Sequence, residues 1–166
     1  MDFERQALAM ANLFAHGLFL IDVDEFLRPQ TDDSVLPIAQ RWLSDASVGA
    51  VALNWATYGS SHRTAAGEGL VIERFTRRAP KDFASNFHAK PFVRVASVAA
   101  PHNPHAVILG SGRYVRPTGA DVAWDTARCD RGITVDVVWD ALRVDHYAVK
   151  SREEFLNKRR RGLAQP

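Results

Sequence analysis

One stretch constrains this chain more than any other, Leu18–Leu27, which reads LFLIDVDEFL. Its opening run of large apolar residues is typical of a short buried strand, although periodicity alone leaves a helix segment open. Three acidic residues follow this run, Asp22, Asp24 and Glu25. Because unpaired charges are costly to bury, the fold must provide these acids with a ligand, a counter-ion or solvent.

Asp22 and Asp24 are separated by one residue, Val23. Alternate residues of a strand point to the same side, so the two aspartates can converge while Val23 faces away. Ligands of open α/β sheets bind at the carboxyl ends of strands. Paired carboxylates that leave other positions to water or phosphate suit Mg²⁺ or Mn²⁺. The alternative is that these are capping or surface-turn acids, because Asp and Glu are mostly exposed.

Length and composition describe an ordinary globular protein. The 166 residues predict a single domain, residues 1–166, and 46% hydrophobic with 24% charged residues is the usual balance. A net charge of +2 predicts no general attraction to nucleic acid. The one cysteine, Cys129, cannot form an internal disulfide. There is neither a spanning apolar run nor a signal-peptide layout, so we expect a cytoplasmic protein, with peripheral membrane attachment left open.

The first third of the chain predicts alternating helices and strands. Apolar spacing predicts helices over Asp2–His16 and Leu36–Ala46, and apolar runs predict strands over Leu18–Val23 and Val48–Trp55. Strand, helix and strand at this spacing favour a βαβ unit with a right-handed crossover and parallel pairing. The sequence therefore predicts an α/β fold.

Later segments are shorter and more polar. Thr57–Gly69 is a glycine- and serine-rich loop of the kind that carries function, and Leu70–Arg78 fits a helix slightly better than a strand. Phe87–Val95 is extended, with Pro91 indicating a sheet edge. The remaining predictions are pairing of Ala106–Leu109 with Arg113–Arg116, a strand over Ala141–Val149 and a capped helix over Ser151–Arg161.

Several side chains outside the acidic stretch are candidates for a site. His146 ends a late strand, where a neutral imidazole would be a metal ligand that favours Mn²⁺, or a partly buried histidine bonded to backbone. Lys90 and Arg94 share one face and could meet a diphosphate or an acidic neighbour, and Lys150 could neutralise a leaving phosphate. Trp55 could stack on a sugar ring or cap the core.

Five segments, in this order, resemble glycosyltransferases of the family 2-like group that includes the family 92 (DUF23) enzymes. The match runs from about Arg5 to Gly162, and the segments are FLIDVDEFL, ALNWATYGSSH, LVIERFTRR, HAKPFVRVASV with HNPH, and VDHYAVKSREEFLNKRRRG. The resemblance implies a partial GT-A fold, a Rossmann-like α/β sandwich with a mixed sheet and flanking helices.

The resemblance also implies an activity: transfer of a sugar from a nucleotide-diphosphate donor to a hydroxyl of a glycan or other acceptor, with inversion. Asp22 and Asp24 resemble the D-x-D motif that binds the divalent ion, Mn²⁺ or Mg²⁺, and the donor diphosphate. His146, in the segment H-Y-x-x-K-S, is implied as a third metal ligand. Glu25 is expected to order the loop.

Substrate-side residues follow from the same resemblance. Trp55, Gly59 and Ser60 match the family segment beside the acceptor, and Lys150 belongs to the late segment that contains His146. For the catalytic base, the resemblance leaves a choice between two carboxylates. Glu73, in the ERF segment, is favoured, and Asp125 is second.

The chain departs from this family in one respect. Members open with a half-domain that binds the nucleotide base and ribose and carries an R-N-E-type motif, and this sequence starts just before the D-x-D. Without that half, the D-x-D strand would lose its neighbours on one side and expose a sheet edge. We therefore expect a fragment, or a partner such as a second copy that covers the edge.

Two other functions compete with an active transferase. A truncated, non-catalytic glycosyltransferase-like module would bind metal weakly or only assemble with a partner. A haloacid dehalogenase-type phosphatase would use Asp22 as nucleophile and Asp24 as acid. Those phosphatases usually carry Thr or Val where this chain has Phe26, and the segment Val135–Asp140 is a poor match to their late acidic pair.

Overall fold

The computed structural model describes residues 16–31 and 34–162. Apart from His16, the predicted helix Asp2–His16 lies outside the described residues. The described chain forms a mixed α/β fold, as predicted. Its helices are α1 Val35–Ser44, α2 Val71–Arg74 and α3 Arg152–Arg161. Its strands are β1 Gly17–Phe19, β2 Glu25–Pro29, β3 Val48–Thr57, β4 Ala89–Arg94, β5 Val98–Asn103, β6 Ala106–Leu109, β7 Arg113–Val115 and β8 Leu142–His146.

Strand β3 is the centre of the main sheet, whose order is β1-β4-β3-β8-β2, with β7 also paired to β3. All its residues are buried, as its apolar sequence VGAVALNWAT predicts. Antiparallel β4 pairs with it over Ala50–Asn54, while parallel β7 and β8 pair with its beginning and its end. The helix α1 packs Ile38 and Trp42 into the same core.

The predicted strand Leu18–Val23 forms only in its first two residues, so that prediction is wrong from Leu20 onward. β1 ends at Phe19 and pairs with β4, whereas β2 begins at Glu25 and pairs with β8. Between them the chain turns, with Val23 99% exposed. Glu25 closes the turn, because its amide donates to the Asp22 carbonyl (3.0 Å) and its carboxylate accepts from the Asp22 amide (2.7 Å).

The predicted parallel pairing of the first two strands is also wrong. β1 and β3 run in the same direction, but β4 lies between them, antiparallel to both. β2 does not pair with β3, because β8 lies between them, and β2 runs antiparallel to both. The two edges of β3 are taken by strands from much later in the chain, and sequence spacing cannot reveal those pairings.

Pro91 lies in an interior strand, not at the predicted sheet edge. β1 is short, and its last paired residue, Phe19, stands opposite Phe92. The nitrogen of Pro91 faces beyond that end, where the Leu20 amide donates to the Pro91 carbonyl (3.1 Å). The missing N–H therefore costs only the return hydrogen bond of this last pair, and proline is tolerated there.

Other predictions divide into confirmed and corrected ones. Helix α1, the strand β8 within Ala141–Val149, and the capping box of Ser151 and Glu154 on α3 are confirmed. Leu70–Arg78 yields only the four-residue helix α2. β6 pairs with β5 in a separate two-stranded sheet, so its predicted pairing with Arg113–Arg116 is wrong.

Candidate functional site

The turn between β1 and β2 holds the acidic residues next to a buried lysine. Lys90, on β4, is only 2% exposed, and its Nζ donates to Asp22 Oδ2 (2.8 Å) and to the Pro104 carbonyl (3.0 Å). The same Nζ lies 3.6 Å from Glu25 Oε2. Lys90 was predicted to meet either a diphosphate or an acidic neighbour, and the structure shows an acidic neighbour. A buried ammonium needs these partners, so Lys90 is a fixed counter-ion of Asp22.

Asp24 and His146 lie side by side, as the sequence predicted. Antiparallel pairing of β2 with β8 sets Glu25 opposite His146, and Asp24 Oδ1 lies 3.8 Å from His146 Nε2. Asp24 Oδ2 accepts from Lys158 Nζ of α3 (2.9 Å). Burial acts to raise the pKa of Asp24, but the hydrogen bond and charge of Lys158, together with the charge of His146, outweigh it and lower the pKa.

The surroundings of His146 favour its neutral imidazole form, because they lower its pKa. Burial lowers its pKa below the ordinary value, and the positive charges of Lys158 and Lys90 act in the same direction, whereas Asp24 opposes them. A neutral ring carries a lone pair on one nitrogen, which is the form that binds metals.

Trp55 forms the floor of the site and contacts three histidines. Its ring centroid lies 4.0 Å from that of His146, 5.0 Å from stacked His88 and 5.0 Å from His105, which meets it edge-on. Trp55 was predicted either to stack on a sugar ring or to cap the core. It is only 9% exposed, so the structure shows it capping the core.

His88 and His105 belong to this cluster, and the sequence did not predict that either lies against Trp55. Burial lowers the pKa of both, that of His105 to about 4. Their Nδ1 atoms meet the carbonyls of Ser85 (3.1 Å) and Ala89 (3.0 Å). No local spacing signals their approach to Trp55. His88 comes near it through the pairing of β3 with β4, and His105 lies in the turn between β5 and β6, against the Ala89 carbonyl.

Glu25 is the most buried of the three acids, at 4% exposure. Burial raises its pKa to about 7, against the lowering effects of the Asp22 amide, of Lys90 and of the neighbouring Trp55 indole. This carboxylate is therefore part of the interior of the site, consistent with the predicted role in ordering the turn.

Gly59 and Ser60 follow Tyr58, the first residue after the end of β3. The amide of Tyr58 donates to the His146 carbonyl (2.9 Å), and that of Gly59 donates to the Arg77 carbonyl (2.9 Å). The loop is pinned further on, where Ser61 Oγ accepts from the amides of Thr76 and Arg77 (3.0 and 3.1 Å). The predicted acceptor segment thus begins next to His146.

Of the other predicted basic residues, one lines a cavity beside Lys158 and the other lies away from the turn. Lys150 lines a cavity of about 380 Å³ together with Lys158, which reaches Asp24, and with Arg161. Arg94 does not join the turn. Its guanidinium donates to three backbone carbonyls around the end of α1, those of Leu43, Asp45 and Val48.

The two candidate bases are also placed elsewhere. Glu73 lines a groove of about 400 Å³ with Phe26, Tyr58 and Tyr147, and its Oε2 accepts from the Leu70 amide (3.3 Å). Phe26 projects to the opposite side of β2 from Glu25, because successive strand residues alternate. Asp125 anchors a turn through its backbone. Among the described residues, no hydrogen bond or ion pair joins either carboxylate to Asp24 or His146.

The predicted metal ligands Asp22, Asp24 and His146 are not assembled around one point in the structure. Across residues 16–31 and 34–162, no group of three His, Cys, Asp or Glu side chains is placed to hold a metal. Asp24 and His146 offer a carboxylate oxygen and an imidazole nitrogen at close range, which fit Mn²⁺. Asp22 is engaged by Lys90, so the three predicted ligands do not converge.

No protein-family model matches this chain, and a search of curated proteins finds no significant match. The resemblance to family 2-like glycosyltransferases therefore stays a prediction from the residues quoted above.

Proposed function

We propose that this chain is a glycosyltransferase-type domain that takes a sugar from a nucleotide-diphosphate donor to a glycan or other hydroxyl acceptor, with inversion and with a divalent cation. The observation that supports it is the approach of Asp24 Oδ1 to His146 Nε2 (3.8 Å), with Lys158 bound to the other oxygen of the same carboxylate. In a complex of a metal ion with the donor diphosphate, the carboxylate and the imidazole suit the cation, and the ammonium group suits the phosphate oxygens.

In this proposal Asp24 and His146 hold Mn²⁺ or Mg²⁺. The cation supplies positive charge where negative charge develops on the departing diphosphate. Lys158 is 51% exposed, so it can leave Asp24 and bind a phosphate oxygen instead. Lys150 and Arg161 line the same cavity and add to its positive charge.

Asp22 has a different part in the proposal. Its carboxylate is 60% exposed while its Lys90 partner is buried, so the ion pair holds the turn in place and leaves one oxygen facing outward. That oxygen is available to hydroxyl groups of the donor. The acceptor is proposed to lie along Gly59 and Ser60, next to His146. Glu73 and Asp125 remain the candidate bases.

A non-catalytic module is the second candidate, and one observation favours it. Both aspartates already bond to lysines of the chain, so a cation must compete with Lys158 for Asp24. Weak metal binding is therefore compatible with the geometry. The phosphatase alternative has no such support, because Asp22 lies in a turn and not at the end of a strand.

Partners and location belong to this proposal as well. No helix in the described part of the chain is long and apolar enough to cross a membrane. β1 and β2 are the outer strands of the main sheet, and each has one unpaired edge among the described strands. We propose that a second copy or another chain segment covers one of them, and that the protein works in the cytoplasm.

Titration calorimetry with Mn²⁺ and a panel of nucleotide-diphosphate sugars tests the proposal. We expect donor binding that requires the metal and that is lost in Asp24→Ala. Asp82→Ala, which removes an exposed carboxylate outside the site, is the matched control and should bind as the wild type does. Donor binding that is unchanged in Asp24→Ala, or metal binding without any donor binding, would contradict the transferase.

A further inference from the structure

Helix α3 is held to the rest of the protein by charged side chains on one of its faces. Glu154 forms a bidentate ion pair with Arg74 of α2, with nitrogen–oxygen distances of 2.9 and 3.2 Å, and Lys158 donates to Asp24 Oδ2 (2.9 Å). Glu154 and Lys158 are four residues apart, so they lie on the same side of the helix. No residue of α3 is buried, so the helix adds no side chain to the core and its opposite side faces solvent.

The side of α3 that faces away from these contacts combines arginine with apolar residues. Positions i, i+3, i+4 and i+7 of a helix share one face. In α3 these positions, with one residue at their margin, form what we call the outer face: Arg152, Phe155, Leu156, Arg159 and Arg160. Although Phe155 and Leu156 are large and apolar, they are 38% and 39% exposed.

The outer face carries positive charge that the protein does not compensate. Among the described residues, no ion pair engages Arg152, Arg159 or Arg160. Glu153, at the edge of the face, turns its carboxylate toward the neighbouring loop, where Oε2 accepts from the Ala66 amide (2.8 Å). The outer face therefore presents three cations around two exposed apolar side chains.

This combination is complementary to an anionic lipid surface. Amphipathic helices that lie in a membrane interface place apolar side chains at the acyl boundary and bind anionic head groups through Lys or Arg. Arginine suits this position, because its stem lies along apolar surface while its guanidinium stays among the phosphates. We propose that the outer face of α3 docks the protein on membranes that contain anionic lipids.

Two other occupants fit the outer face less well. It spans residues 152–160, about 13 Å along the helix, whereas a stable protein interface buries about 800 Å² on each partner. A nucleic acid would bind the arginines but would gain nothing from Leu156, which has no ring to stack on a base. An anionic membrane uses both kinds of side chain. The proposal does not depend on sugar transfer, and membrane binding leaves Lys158 on Asp24 at the opposite side of α3.

Cosedimentation of the full chain with lipid vesicles tests the proposal. We expect binding to vesicles of phosphatidylserine and phosphatidylcholine in equal parts, weaker binding at high salt, and no binding to phosphatidylcholine alone. Arg152→Gln/Arg159→Gln/Arg160→Gln should bind about 100-fold more weakly, because each cation near such a surface strengthens binding about 5-fold.

Two further variants separate the effects of charge, position and apolar contact. Arg41→Gln/Arg78→Gln/Arg128→Gln makes the same change in net charge at exposed positions outside α3, so it should retain most of the wild-type affinity for the vesicles. Leu156→Gln keeps the charge of the outer face and removes apolar surface, so it should also weaken vesicle binding.

Several results would overturn the inference. They are a wild type that does not bind the anionic vesicles, an equal loss of affinity in the two triple variants, and wild-type affinity in Leu156→Gln. Single-stranded RNA that displaces the vesicles and binds Leu156→Gln as well as the wild type would assign the outer face to nucleic acid instead. A wild type that binds the vesicles but no nucleotide-diphosphate sugar would support this inference and contradict only the proposed function.

Discussion

At the scale of residues, the site is built from opposite charges in two very different environments. The Asp22–Lys90 pair has a lysine that is 2% exposed, while the Asp24–Lys158 pair has one that is 51% exposed. An exposed pair contributes about 0–1 kcal/mol, whereas separating a buried charge from its partner costs about 3–5 kcal/mol. Asp24 is therefore the carboxylate that can exchange its partner, and Asp22 is the one that cannot.

His105 predicts a pH dependence of stability. Its pKa is about 4 in the folded protein, and burial is the main cause of the lowering from 6.5. Between these values the unfolded chain binds the proton and the folded chain does not, so stability falls as pH falls from about 6.5 to 4. This group contributes a loss of about 3 kcal/mol over that range.

Urea unfolding of wild type and His105→Gln across this pH range measures the effect. Glutamine cannot titrate, and its amide can still donate to the Ala89 carbonyl, so the variant should lose less stability on acidification. His88 titrates in the same direction and Glu25 in the opposite one, but both are common to the two proteins. His62→Gln, at an exposed position, should retain the wild-type slope. Equal slopes for wild type and His105→Gln would contradict a neutral His105.

At the scale of elements, the start of β7 approaches the start of β3 closely enough to require glycine. Gly112 has φ +72°, and a Cβ there would lie 2.7 Å from the Gly49 nitrogen and 2.9 Å from the Gly49 Cα. Directly afterwards, the Arg113 amide donates to the Ser47 carbonyl (2.9 Å). The parallel pairing of β7 with β3 thus depends on two glycines that face each other.

Gly112→Ala should therefore be costly, and Gly119→Ala provides its matched control. Gly119 also has positive φ, at +91°, but a Cβ there meets no atom within 4 Å. Both variants carry backbone strain of about 1 kcal/mol, and only Gly112→Ala adds a collision with backbone that cannot move away cheaply. We expect Gly112→Ala to lose at least about 2 kcal/mol more than Gly119→Ala in urea unfolding. Similar losses would show that β7 does not pack as described.

At the scale of the whole molecule, β3 holds segments from across the chain together. It pairs with β4, β7 and β8, and all ten of its residues are buried. The acidic turn, in contrast, lies between two strands at opposite ends of the sheet and exposes Val23 fully. Local opening is easiest where few buried contacts are lost.

Native-state hydrogen exchange should follow this division. We expect the slowest amides in Ala50–Asn54 of β3, which pair with β4 on one side, and fast exchange at Val23 and Asp24. Exchange followed by NMR at several denaturant concentrations gives the opening free energy for each amide. Protection of Val23 equal to that of the β3 core would contradict an exposed turn, and a metal-dependent rise in protection near Asp24 would support the proposed cation site.

Local patterns in the amino-acid sequence predict several of the helices and strands. Apolar runs and spacings located β3 and α1, and the Ser151–Glu154 box located α3, because periodicity and capping act between residues a few positions apart. The sequence also identified Asp24 and His146 as candidate site residues, and the structure places them together.

The folded structure is needed to know which segments pair with one another. It divided Leu18–Leu27 into two strands at opposite ends of the sheet, paired Asp22 with Lys90, and gathered His88 and His105 around Trp55. Strand pairing depends on which surfaces bury each other across the chain, as Glu25 with His146 shows, and no local pattern carries that information.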